Sequence, residues 1–88
     1  MDLSDYELKA DIMYKLMRRG CWGGKYVPMD SLVRWLSKRV KKNGRRVRNI
    51  IEQLINEGFL IFHKKGKTIS LNPARSGEII EFVRKYIG

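Results

Sequence analysis

The chain begins with apolar residues at helical spacing. They recur at i, i+4 and i+8, and so share one face of a helix, at Leu8, Ile12 and Leu16. Ser4 and Glu7 both precede this run and are three residues apart. This is the spacing of a capping box, which satisfies the first free N–H groups of a helix. Two arginines and a glycine at residues 18–20 are typical of a helix end. The pattern predicts a first helix over residues 5–19.

Two further helices are predicted in the middle of the chain, separated by a short polar break. The second covers about residues 29–40, directly after Pro28, and shows the same apolar repeat in Leu32, Leu36 and Val40. The break covers residues 41–44, in which Asn43 is a favourable N-cap. The third helix follows and ends at Gly58, and its apolar side carries Val47, Ile50, Ile51, Leu54 and Ile55.

Strand-forming residues occupy three shorter segments. Residues 25–27 predict a very short strand that Pro28 ends. Residues 59–63 and 68–71 are rich in aromatic and β-branched side chains, with basic residues between them and Gly66 available for a turn. These two segments therefore predict a β-hairpin with a basic tip.

One domain is predicted over residues 1–88. A chain of 88 residues has room for one hydrophobic core and no second lobe. Asn72 followed by proline is typical of a helix start, so a C-terminal helix is expected at about 73–87, after a core unit over 5–72. The order of helices and strands predicts an α+β fold.

Positive charge is concentrated in the middle of the chain. The 19 Lys and Arg residues outnumber the 9 Asp and Glu residues, for a formal net charge of +10. Residues 34–67 contain eleven of the bases and two of the acids, and no acid lies between Asp30 and Glu52. The alternative explanation is a surface stabilised by ion-pair networks. Such a surface would carry glutamates among these Lys and Arg residues. Like charges crowded in this way repel one another unless a polyanion neutralises them, so nucleic acid or an anionic membrane is the expected partner.

The order of elements resembles the winged helix-turn-helix family of nucleic-acid-binding domains over about residues 5–72. The resemblance is carried by residues 40–47 (Val-Lys-Lys-Asn-Gly-Arg-Arg-Val), by Leu54 and by Gly58-Phe59-Leu60. In the family these positions are the end of the second helix, the turn, the cap and core of the recognition helix, and the entry into the wing. The resemblance implies a small winged helix: a three-helix core with a helix-turn-helix, a two- or three-stranded β-wing and a C-terminal helix.

The predicted binding residues come from two helices, the turn between them and the hairpin tip. The major groove of B-DNA, about 12 Å wide, accepts an α-helix, and the second helix would brace the third so that its outer side faces the bases. Arg45 and Asn49 lie on that outer side, where Arg pairs with guanine and Asn with adenine. The other predicted contacts are Arg46 and Arg48 on the third helix, Arg34, Lys38 and Lys41 on the second, Lys42 and Asn43 in the turn, and Lys64, Lys65 and Lys67 in the wing. The predicted function is double-stranded DNA binding, most simply by a small transcription regulator.

Two other classes of function are left open by the sequence. Structured RNA is one, because basic composition does not separate RNA from DNA. Duplex RNA hides its major groove, however, and would not require Arg45 and Asn49 to project. A protein-interaction module of a larger complex is the other, although such modules rarely keep both a recognition helix and a wing so cationic. Membrane-surface attachment is disfavoured because the basic face of the second and third helices lacks bulky apolar residues among its Lys and Arg side chains.

Catalysis, metal binding and a cofactor are not expected. One His, one Cys and no Gly-rich phosphate loop leave no acid–base, nucleophile or metal-ligand constellation. The single cysteine, Cys21, has no partner for an internal disulfide and fits a reducing compartment. The start of the chain does not resemble a signal peptide, and no apolar run exceeds four residues. The expected location is the cytoplasm.

The two terminal helices have wide apolar arcs. In the C-terminal helix the arc spans about 160°, more than the roughly 100° that one packing face needs, and it contains Ile79, Ile80, Phe82, Val83, Tyr86 and Ile87. One interpretation is that a small domain covers both sides of such a helix. The other is a homodimer through the N- and C-terminal helices, which would place two recognition helices on a two-fold operator.

Overall fold

A computed structural model of the chain describes residues 4–37, 44–63, 65 and 67–87. These residues form four α-helices, three short strands and one 3₁₀ turn. In chain order they are α1 (Asp5–Arg18), β1 (Val27–Pro28), α2 (Met29–Ser37), α3 (Gly44–Asn56), β2 (Leu60–His63), β3 (Thr68–Leu71), a single 3₁₀ turn (Pro73–Arg75) and α4 (Ser76–Ile87). The α+β prediction is confirmed.

Helix α1 begins with the predicted capping box. The backbone N–H of Glu7 donates to Ser4 Oγ at 3.1 Å, and the N–H of Ser4 donates to Glu7 Oε1 at 3.0 Å. This hydrogen bond from the Ser4 backbone lowers the pKa of the Glu7 carboxyl. The helix ends one residue earlier than predicted, with Arg19 as its C-cap, and Gly20 follows with a left-handed φ of 66°. Local sequence signals therefore set both ends of α1.

Helix α3 buries the apolar side that its periodicity predicts. Val47, Ile50, Ile51 and Leu54 are buried, and Ile55 is partly buried against the same core. Gly44 is the first residue of α3, whereas the sequence placed it in the preceding break. The other residues of that break, and the predicted end of the second helix, fall in residues 38–43 and lie outside the described residues.

The three strands form one antiparallel sheet in the order β1-β3-β2. The predicted hairpin is confirmed, with Leu60 opposite Leu71 and His63 opposite Thr68. The first strand was predicted over residues 25–27, whereas β1 covers Val27–Pro28 and ends with Pro28 opposite Thr68. An edge strand tolerates proline because one of its sides makes no ladder hydrogen bonds. The predicted turn residue Gly66 lies outside the described residues.

The C-terminal helix starts later than predicted. Asn72 does cap a helical turn, since its side chain accepts from the N–H of Ala74 at 3.0 Å, but this first turn is a 3₁₀ turn. The Asn72 side chain also donates to the Gly58 carbonyl at 2.9 Å, which fixes the entry to this turn. Tight first turns of this kind are common at helix starts, and the α-helix proper begins at Ser76.

The core lies where α1 meets α3, α4 and β3, and α2 packs on α3. The larger side chains that are fully buried are Leu8, Ile12, Met13, Leu16, Leu32, Leu36, Ile51, Leu54, Ile69, Leu71 and Ile79. Cys21 is also buried, and its burial raises the pKa of the thiol. Across residues 4–37, 44–63, 65 and 67–87, no helix has the length and apolar character needed to cross a membrane.

Candidate nucleic-acid interface

Helix α3 turns a polar side towards solvent. Arg45, Arg48 and Asn49 are exposed, and they recur at i, i+3 and i+4, so they share one face of the helix. Glu52 is exposed one turn further on. The opposite side of α3 is locked into the core by its buried aliphatic residues. The core packing of α3 therefore fixes the direction in which the two residues predicted to contact bases, Arg45 and Asn49, project.

Arg48 connects this face to the start of α2. Its Nη2 donates to Asp30 Oδ1 at 2.6 Å, and its Nη1 lies 3.8 Å from Met29 Sδ. The Arg48 side chain is still 50% exposed and that of Asp30 is 84% exposed. An ion pair so open to water contributes at most about 1 kcal/mol to stability. It orients Arg48 without removing it from solvent.

Arg46 is engaged on another side of α3. Its Nη2 donates to Asp5 Oδ1 at 3.0 Å, and its side chain is only 24% exposed. Asp5 is the first residue of α1, where a carboxylate also interacts favourably with the helix dipole. Arg46 thus ties α1 to α3, and the phosphate contact predicted for it stays a prediction.

The hairpin meets the same end of α2 that Arg48 contacts. The N–H of Met29 donates to the carbonyl of Lys67 at 2.9 Å, just before β3 begins. Lys65 and Lys67 are both exposed, and Lys65 has a left-handed φ of 59°. The short segment Met29-Asp30 is therefore a junction between the exposed face of α3 and the second arm of the hairpin.

The remaining predicted residues divide into two groups. Arg34 is exposed on α2, one helical turn after Asp30. The predicted contacts that lie outside the described residues are Lys38, Lys41, Lys42, Asn43 and Lys64. The structure therefore places Arg45, Arg48 and Asn49 on one exposed face of α3, and the backbone of Lys67 next to the start of α2 that Arg48 contacts. Lys65 is exposed in the hairpin, and Arg46 pairs with α1.

Two features beside this surface were missed from the sequence. The first is the pair of carboxylates, Asp5 and Asp30, that hold Arg46 and Arg48. The sequence already indicated that each lies in the first turn of a helix. Acidic residues are favoured there by the helix dipole, however, so this position does not predict an arginine partner. The arginine that each one meets lies 41 and 18 residues away in sequence, and no local pattern encodes that choice.

The second is an aromatic stack near the turn end of the hairpin. Tyr26 lies over His63, with ring centroids 4.6 Å apart, and His63 Nε2 is 2.8 Å from Ser70 Oγ. His63 is the last residue of β2. Only the register of β1 against β3 brings Tyr26 to it.

No metal site accompanies this surface among the residues that the structure describes, where no three His, Cys, Asp or Glu side chains gather closely enough to hold an ion. Comparisons with protein-family models, with curated proteins and with solved structures found no match for this chain. The geometry of the surface and its charge are thus the basis for assigning a function.

Proposed function

We propose that this chain is a winged-helix protein that binds double-stranded DNA, with α3 in the major groove and the β2–β3 hairpin on the adjoining backbone. The observation that carries the proposal is the shared exposed face of Arg45, Arg48 and Asn49, with the backbone of Lys67 hydrogen-bonded to Met29 at the start of α2. The helix order and the three-stranded antiparallel sheet are consistent with a winged helix. A small transcription regulator is the simplest role for such a domain.

The proposed binding mode gives each part a distinct task. Arg45 and Asn49 project furthest from the packed side of α3 and read base edges, as a guanidinium does with guanine and a carboxamide with adenine. Arg48 and the hairpin lysines contact phosphates, which position the helix without reading sequence. Arg34 on α2 and the basic residues that follow it in sequence add further backbone contacts. Phosphate contacts supply most of the affinity and base contacts most of the selectivity.

Selection of bound sequences from random DNA duplexes at two salt concentrations tests this function. If about seven basic groups contact phosphates, log K falls with log salt with a slope of about −6. We expect the charge reversal Arg45→Glu to weaken binding to a short single-site duplex by at least tenfold. Lys85→Glu makes the same charge change on α4 and should have little effect. Equal losses for both variants would contradict the assigned face.

A competition between DNA and RNA duplexes of equal length separates the main alternative. We expect DNA to displace the RNA duplex, because the narrow major groove of A-form RNA does not admit α3. Preference for RNA would overturn the proposed mode. Absence of any salt-sensitive binding to either duplex would instead favour a protein-interaction module.

A further inference from the structure

Helix α4 carries an exposed stripe with the spacing of a helix-pairing seam. Its members are Gly77, Ile80, Arg84 and Ile87, all exposed and separated by three, four and three residues. This is the alternation of a and d positions in a coiled coil. Ile80 is 39% exposed and Ile87 is 42% exposed, although the same helix buries Ile79 and Val83 in the core. Helix α4 therefore has an inner side packed on the domain and an outer stripe that contains two exposed isoleucines.

The stripe is complementary to itself when a second copy is reversed. A three-four-three spacing reads the same in both directions about residue 82, so antiparallel pairing brings Gly77 opposite Ile87 and Ile80 opposite Arg84. A Cβ atom at Gly77 would meet nothing within 4 Å, which leaves room there for the larger side chain of Ile87. The aliphatic stem of Arg84 provides apolar surface for Ile80.

The charges along α4 follow the same symmetry. The first half of the helix carries Glu78 and Glu81, and the second half carries Arg84 and Lys85. Antiparallel pairing about residue 82 places Glu81 of each copy beside the basic half of the other. Parallel pairing would place like charges next to each other. Antiparallel pairing avoids this, and it also aligns the two helix dipoles in opposite directions, which is favourable.

We propose that α4 is a homodimerisation surface, on which a second copy of this chain packs its own α4 in antiparallel orientation about a two-fold axis near residue 82. The dimer rests on α4 alone. Its consequence, two α3 helices presented to a two-fold operator, rests on the proposed function. Such a protein would bind palindromic DNA more tightly than a single half-site.

The length of α4 limits the strength of the dimer. Twelve residues form a helix about 18 Å long. A pair of this length buries less than the roughly 1,200–2,000 Å² of stable complexes, so a concentration-dependent equilibrium is expected. Dimers should appear between about 1 and 300 µM, the range of weak, transient interfaces.

Sedimentation equilibrium of the full chain without nucleic acid tests the proposal with two variants, Glu81→Arg and Arg84→Glu. The wild-type chain should dimerise. Each variant alone should be monomeric, because like charges then face each other across the two-fold axis. An equal mixture should form heterodimers, since the opposite-charge contacts are re-formed between unlike copies. In the wild-type chain Arg84 also lies 3.6 Å from Glu81 of its own helix. Both variants lose this pair and mixing does not restore it, so dimers formed on mixing report only contacts between copies.

Apolar substitutions provide the matched control. Ile87→Glu should abolish the dimer, whereas Phe62→Glu, on β2, should leave it intact although Phe62 is also 42% exposed. A monomer throughout the concentration range overturns the proposal, as does a dimer that persists in both single charge variants or a mixture that stays monomeric. These measurements involve no DNA. A dimer that binds no duplex would leave this proposal standing and refute the proposed function, and a monomer that binds a single site would do the reverse.

Discussion

At the scale of single residues, Arg48 is held by a carboxylate of its own chain at the surface proposed to meet DNA. Asp30 contacts it at 2.6 Å and would itself face the phosphates. Asp30→Asn should therefore tighten DNA binding about two- to fivefold, the value of one exposed ion pair. It should also make the salt slope steeper by about one. Glu81→Gln removes the same charge from α4 and is the control in a titration on a short single-site duplex. Equal gains from both variants would mean that only net charge matters.

At the scale of elements, the connection from α3 to β2 depends on one glycine. Gly58 has a left-handed φ of 87°, and a Cβ there would come within 2.7 Å of Arg75 Nη1. That arginine donates to the Glu57 carbonyl and makes a bidentate ion pair with Glu78, which lowers the pKa of the Glu78 carboxyl. A side chain at residue 58 would have to displace Arg75 from these contacts.

Gly58→Ala should lower the free energy of unfolding by about 1–2 kcal/mol from backbone strain alone, and by more if Arg75 is displaced. Gly24→Ala is the matched control, since a Cβ at Gly24 meets nothing within 4 Å and its φ is not left-handed. Urea denaturation of the two variants measures the difference. A neutral Gly58→Ala would show that this connection relaxes freely.

The capping box of α1 links stability to pH. The pKa of Glu7 is lowered in the folded chain by the hydrogen bond from Ser4, so the folded state favours its ionised form. This contribution is complete above the ordinary glutamate pKa of 4.5 and is lost as the pH falls through the lower, folded value. Glu7→Gln should therefore flatten the decline of unfolding free energy below about pH 4.5. Glu81→Gln, outside any cap, is the control, and an unchanged pH profile for Glu7→Gln would contradict the role of this cap.

At the scale of the whole molecule, one core joins the sheet to the helices. Leu54 of α3 is fully buried in that core, next to exposed Gln53. Leu54→Ala should lower the free energy of unfolding by about 2–5 kcal/mol because it leaves a cavity, whereas Gln53→Ala should change it by less than about 0.5 kcal/mol. Thermal unfolding followed by circular dichroism measures both. A loss confined to α3, with the hairpin and α4 unchanged, would contradict a single cooperative unit.

Most of the element order followed from local signals. The ends of α1, the buried side of α3 and the pairing of β2 with β3 were predicted because capping, helical periodicity and strand propensity act over a few residues. The misses depend on neighbours that are distant in sequence. Pro28 as the last residue of β1 pairs with Thr68, and the 3₁₀ turn before α4 is held by the bond from Asn72 to Gly58.

The candidate surface was predictable only in part. Which side of α3 faces solvent is encoded in the chain, because burial of one aliphatic side leaves Arg45 and Asn49 on the other. Which partner each arginine of α3 contacts is decided by the tertiary structure. Arg46 lies next to Arg45 in sequence, yet it packs towards Asp5 of α1, and the hairpin joins Arg48 through the Met29 backbone. Such ion-pair partners are determined when separate elements pack together. A charged side chain pairs with a carboxylate that the fold brings within reach, and the local sequence around that side chain does not specify which one.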